Sequence, residues 1–253
     1  MAEWLVEVQG DQAELAELAD QFNSARLSVR KEGESYYLRS SEDFEGLSDA
    51  SVVRTKATEL LLLLSGVANL YAGAGETVKP GVVIWQRDDG TQDQFIAMET
   101  ATVRARSKVL LWGVEATDPT VSESWLSMAR RDDKVLDALR FFQEDTTWWS
   151  LRKAYEVIER DEFGGQQSKV AKVLSTPEEE IQRFKEWAHY YVHGGRRKRP
   201  DPDNFPPLEI GEADSFLREL LKKWLRWKLD QQTLSKRQGT KQSSSLTTRQ
   251  KPG

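Results

Sequence analysis

Both histidines of the chain lie in one stretch, STPEEEIQRFKEWAHYYVHGG, from Ser175 to Gly195. Histidine is the side chain best suited to moving a proton near neutral pH. Arg183 and His189 stand in an Arg-x5-His spacing, and His193 follows one helical turn later. An arginine beside a histidine can steady charge developing on phosphorus or on a carbonyl oxygen. RNA cleavage through the 2′-hydroxyl needs only a base for the hydroxyl proton and a cation for the charged phosphorus centre. No metal is required. Arg183, His189 and His193 are therefore the candidate catalytic residues. The plain alternative is that both histidines are partly exposed helix residues bonded locally, since this spacing often arises by chance.

Two further readings attach to the same stretch. Glu186, His189 and His193 fall at i, i+3 and i+7, and a two-histidine, one-carboxylate metal site uses these types. On a straight helix i to i+7 rises about 10 Å, too far for one ordinary coordination sphere. No metal or other cofactor is therefore expected. Arg196, Arg197, Lys198 and Arg199 follow directly. They are either solvated loop charges meeting the carbonyl end of the helix dipole, or a contact to nucleic-acid phosphates, which positions a ligand without reading its sequence. Lys236, Arg237, Lys241, Arg249 and Lys251 would add diffuse attraction. The nine tryptophans fall mostly at core helical positions and argue little for base stacking.

The element that positions these groups has clear ends. Thr176 is the expected N-cap, with Pro177 at the first helical position and Glu179 completing a capping box. Gly194 and Gly195 are the expected stop. At about 100° per residue, Phe184, Trp187, Ala188 and Tyr191 share an inward face. Glu186, His189, Tyr190 and His193 share the opposite face, with Arg183 at its edge.

Around this helix the chain has 253 residues, 38% hydrophobic and 30% charged, enough for one large domain or two ordinary ones. A net charge of −5 argues against wholesale nucleic-acid binding but leaves room for local basic patches. The absence of cysteine excludes disulfides, zinc–thiolate sites and thiol catalysis. The N-terminus MAEWLVEVQGD has neither a basic nor an apolar leader region. Leu60–Leu64 is too short to span a membrane and reads as a buried core helix. A cytoplasmic protein with no membrane partner is expected.

Strands are expected at Trp4–Val8, twice within Leu27–Arg39, and at Val82–Arg87 and Gln92–Met98 around an Asp89-Gly90 turn. A further strand is expected at Thr102–Val109. Helices are expected at Asp11–Phe22 and from Ser48 or Asp49 to Ala72, with Ala72–Gly75 a plain turn rather than a phosphate loop. From Asp118-Pro119 the periodicity is helical throughout, with Ser122–Gln143 as one helix. Then come Thr146–Glu159, Ser168–Leu174, the histidine helix, a proline-rich loop over Pro200–Pro207, and Glu212–Leu229. The fold class is α+β: a mixed α/β domain over 1–117, an all-α helical bundle over 118–230, and a disordered tail over 231–253.

The segment FKEWAHYYVHGG, the proline-containing loop and EADSFLRELLKKWL resemble a group of uncharacterised bacterial proteins, and their arrangement resembles HEPN-like helical domains. The resemblance covers roughly Thr146–Leu229. It implies a four- or five-helix bundle that often dimerises. In many active members of that superfamily it implies a metal-independent RNase of bacterial defence systems, using an Arg-x4-6-His motif. This chain departs from the pattern. Val192 precedes His193 where an arginine is usual, His189 stands where an asparagine is usual, and Phe184 follows Arg183. With the arginine beside His193 missing, the expected function is a non-catalytic HEPN-like binding or regulatory protein of bacterial defence or stress response. The alternative is a metal-independent endoribonuclease on single-stranded RNA. RNA and a second copy of the chain are the expected partners. The homodimer is suggested by Trp224 and Trp227, which point to different sides of the last helix. Any protein partner is left unnamed by the sequence.

Overall fold

The computed structural model describes residues 2–72, 78–96, 119–143 and 146–246. It divides into two compact units, Met1–Thr146 and Thr147–Gly253.

The first unit is mixed α+β. Its elements are β1 (Glu3–Gln9), α1 (Gln12–Gln21), β2 (Leu27–Glu32), β3 (Ser35–Ser40), α2 (Ala50–Ala72), β4 (Lys79–Gln86), β5 (Gln92–Phe95), α3 (Pro119–Ala129) and α4 (Asp133–Gln143). The strands form one sheet in the order β2-β3-β1-β4-β5, and every pairing is antiparallel. Local chemistry accounts for the turns. Gly33 and Gly90 take the left-handed conformation between paired strands, and the Asp89 carboxylate accepts from the Thr91 N–H at 2.9 Å. Asp11 caps α1 by accepting from the Ala13 N–H at 2.9 Å. The Leu60–Leu64 run lies in α2 as expected, with Leu60, Leu61, Leu63 and Leu64 buried.

Two expectations are corrected here. Ser122–Gln143 is two helices, because the Asp132 carboxylate accepts from the Lys134 N–H at 2.9 Å and starts α4 afresh. The break between the units falls after Thr146, not after Thr117. Helical periodicity is a poor guide to domain membership, because α3 and α4 pack on α2 inside the first unit. The approach of α4 is close: a Cβ on Gly66 would lie 3.2 Å from the Leu139 carbonyl oxygen. Trp125 and Leu139 are buried in this core. The Thr102–Val109 strand, the Gly73–Gly75 turn and Asp118 lie outside the described residues.

The second unit is all helical among its described residues: α5 (Trp148–Arg160), α6 (Gln167–Val173), α7 (Glu178–Val192) and α8 (Ile210–Leu246). Thr147 and Ser150 form a reciprocal capping box that starts α5. Its core joins Leu151, Tyr155 and Ile158 of α5 to Phe184 and Trp187 of α7 and to Leu217, Leu221 and Trp224 of α8, all buried. The helix α8 runs on to Leu246, so the tail expected to be disordered from residue 231 is helical as far as that residue. Trp224 is fully buried, and Trp227 packs on Phe163 with ring centroids 5.4 Å apart. Both tryptophans are thus seated within one chain, which removes the aromatic argument for a dimer.

Candidate functional site

The histidine helix α7 starts one residue later than expected. Its N-cap is Pro177, with no side-chain cap. Thr176 is unavailable because its hydroxyl donates to the Leu174 carbonyl at 3.3 Å and accepts from Lys223 Nζ at 3.2 Å. The cause is the tight link from α6, where Ser175 is left-handed and the Thr176 N–H bonds back to the Ala171 carbonyl at 3.0 Å. Glu178, Glu179 and Glu180 still fill the first turn, where the helix dipole favours negative charge. The expected stop holds: Gly194 and Gly195 are left-handed, and the Gly195 N–H closes onto the Tyr190 carbonyl at 3.1 Å.

The three candidate catalytic residues do not form one group. Arg183 points to the proline-rich loop and α8. Its Nη1 and Nη2 pair with the two Glu212 oxygens at 2.6 and 3.1 Å, its Nε donates to the Pro206 carbonyl at 2.9 Å, and Nη2 also donates to the Pro207 carbonyl. A guanidinium holding a fork and two carbonyls is a structural clamp. At the edge of the helix face, it was free to turn either way, and a carboxylate on another helix decided the direction.

The arginine that does meet a histidine is Arg152 of α5, which sequence spacing missed. Its Nη1 lies 3.0 Å from His189 Nδ1, and its Nε donates to Glu156 Oε1 at 2.9 Å. A guanidinium can only donate, so Nδ1 of His189 is the acceptor and its ring proton sits on Nε2. The His193 ring stands edge-on to His189 with centroids 4.6 Å apart, and His193 is exposed. Burial, followed by the charges of Arg197, Arg152 and His193, holds the His189 pKa below its ordinary 6.5, and Glu186 only partly opposes them. His189 is therefore neutral at pH 7, with its lone pair on Arg152 and its N–H directed elsewhere.

Behind His189, α5 and α7 enclose a cavity of about 270 Å³ lined by Arg152, Tyr155, Glu156, Glu159 and Lys185 among others. Its charges are largely matched. Lys185 Nζ meets Glu159 at 2.7 Å, and the Tyr155 hydroxyl donates to the same carboxylate at 3.1 Å. Burial, together with Glu159, pushes the Tyr155 phenol well above its ordinary value. Burial also pushes Glu156 up, but hydrogen bonds and charges from Lys153 and Arg152 outweigh it and hold Glu156 below the usual carboxylate range. Among the described residues no group of three His, Asp or Glu side chains converges to hold a metal ion, so Glu186, His189 and His193 do not form such a group.

Arg196, Arg197, Lys198 and Arg199 are all exposed. Val192, His193, Gly194, Arg196 and Arg197 line an open depression of about 490 Å³ at the end of α7. Arg199 turns back so that its guanidinium lies 5.6 Å from the Trp187 ring centroid. Among the described residues no helix is long and apolar enough to cross a membrane.

The chain matches no protein-family model, no curated protein and no solved structure.

Proposed function

We propose that this protein is a non-catalytic binding protein whose helical second unit contacts RNA through its phosphates, at the end of α7. The observation that carries the reading is the Arg152–His189 bond. A general base needs a free nitrogen lone pair within reach of the proton it removes, and Arg152 occupies that of His189. Arg183, the cation offered by the Arg-x5-His spacing, is held by Glu212. What is left exposed at this helix end is His193 beside the cations Arg196, Arg197 and Lys198. Three exposed cations around one imidazole suit holding a phosphate more than cleaving one.

The charge distribution supports an anionic ligand. The second unit carries 21 Lys and Arg against 15 Asp and Glu, a net of +6. The first unit carries 15 against 26, a net of −11. The acidic total of the chain thus conceals a basic helical unit. The HEPN-like resemblance agrees with an RNA ligand, and the altered residues around His193 agree with lost chemistry. A role in bacterial defence or stress response belongs to the same proposal.

The test is binding and integrity of a labelled RNA of mixed sequence, measured together in EDTA. Binding is expected to weaken steeply with salt, with a log–log slope of about −0.7 per phosphate contacted if the RNA is single-stranded. The RNA is expected to stay intact. Cleavage that persists in EDTA and disappears in His189→Ala would replace this reading with the endoribonuclease one. Absence of binding at low salt would remove RNA altogether.

A further inference from the structure

The same end of α7 carries an aromatic group that the phosphate reading leaves unused. The helical period places Tyr191 on the core face, yet 43% of its surface is exposed. It lies nearly parallel to Trp148, with centroids 4.7 Å apart and planes at 15°. Tyr190 and Trp187 approach Tyr191 from other directions, at 5.2 and 5.8 Å. Trp187 is the fixed floor of this group. It is buried, and its indole N–H donates to the carbonyls of Phe205 and Pro206 at 3.2 and 3.0 Å.

The basic loop joins this group to the histidines. Arg199 covers Trp187, while the charge of Arg197 is felt at His189. Nearby basic residues thus straddle the helix end, with the aromatic stack on one side and the histidine pair on the other. A stacked ring pair with one exposed member, Tyr191, beside cations suits holding an unpaired base and its phosphate together. Ring stacking is tolerant of sequence because every base has a π-face, whereas bases in a duplex are already stacked on each other.

We infer that the Trp148–Tyr191 stack is a nucleobase subsite, taking an unpaired base of single-stranded RNA whose phosphates lie on Arg196–Arg199. This rests on the RNA-contact reading and adds to it the part of the ligand that is recognised. Large aromatics often stack at surfaces merely as packing. Here the charge of Arg199 over Trp187, and of the basic run Arg196–Arg199 to which it belongs, favours an anionic ligand.

The experiment is fluorescence anisotropy with the full chain and three probes of equal charge per strand: a single-stranded RNA octamer, an abasic octamer, and the octamer annealed to its complement. The wild-type protein should bind the base-bearing single strand on the order of ten-fold more tightly than the abasic one. The duplex should gain nothing from the stack. Tyr191→Leu should erase the advantage of the base-bearing strand while leaving abasic binding unchanged, and Tyr191→Phe should keep it. Trp148→Ala, checked for folding by circular dichroism, gives an independent second reading. Equal wild-type affinity for base-bearing and abasic strands would overturn the subsite while leaving the phosphate contact standing. Failure to bind either strand would overturn both.

Discussion

Arg152 Nη1 lies 3.0 Å from His189 Nδ1, although the two residues are 37 positions apart and on different helices. This bond fixes the tautomer of His189 and links it through Arg152 to Glu156. It turns a residue that looks like a general base into one that presents a donor. The ion pair beyond it keeps Arg152 from swinging away: Glu156 also accepts from Lys153 at 3.0 Å.

A ring whose Nδ1 accepts from a guanidinium should show the Nε2–H tautomer. We expect nitrogen-detected NMR of wild-type protein to report that tautomer for His189, with a titration midpoint below 6.5. Arg152→Gln removes one of the charges that depress it, so the midpoint should move up. An unchanged midpoint in Arg152→Gln, or a wild-type midpoint above 6.5, would show that the contact does not govern the ring.

The same depressed pKa links to stability. Below pH 6.5 the unfolded chain takes up a proton at His189 before the folded chain does, so stability falls as pH falls, until the folded-state pKa is passed. Glu156 adds a second loss lower down, starting below its ordinary 4.5. Urea midpoints at about pH 7.5 and about pH 5.5 should therefore differ in the wild type, and His189→Gln should narrow that difference. A wider gap in the variant would contradict this direction of linkage.

Arg183 is expected to matter for folding rather than for ligand. Arg183→Ala removes the pair with Glu212 and two bonds to loop carbonyls. Glu212 is half exposed, so solvent screens the ionic part. A loss of about 1–2 kcal/mol from the hydrogen bonds is the expected size. Denaturant melts should show it while RNA affinity stays within about two-fold, since a clamped guanidinium offers no phosphate contact. A large drop in affinity without a change in stability would return Arg183 to the site.

Limited proteolysis should separate the units near Thr146, giving a helical fragment that begins close to residue 147. A fragment starting near 118 would have to pull α3 and α4 from α2, exposing Trp125 and Leu139. Burial of large apolar side chains of this kind is worth roughly 1.5–3 kcal/mol each. Mass spectrometry of the first stable fragments distinguishes the two cuts.

Much of the fold was legible from local chemistry. The Asp89-Gly90 turn, the buried Leu60–Leu64 helix and the glycine stop of α7 are each set by residues within a few positions of one another. The histidine face was legible too, because a period of 3.6 places His189 and His193 on one side whatever surrounds them. The sequence by itself therefore determined most of the elements and which side of α7 is polar, but not the break at Asp132 or the run of α8 to Leu246. It could not determine which distant charge each polar group would meet. Arg183 went to Glu212 because α8 passes there, and His189 received Arg152 because α5 packs beside α7. Nor could helical periodicity assign α3 and α4 to a unit, since an apolar stripe states that a partner exists without naming it. Tyr191 stands on the apolar stripe, yet it lies past the end of the core, so tertiary packing left it exposed against Trp148. Spacing along the chain fixes angles around one helix axis. Only the packing of one axis against another brings a guanidinium to an imidazole.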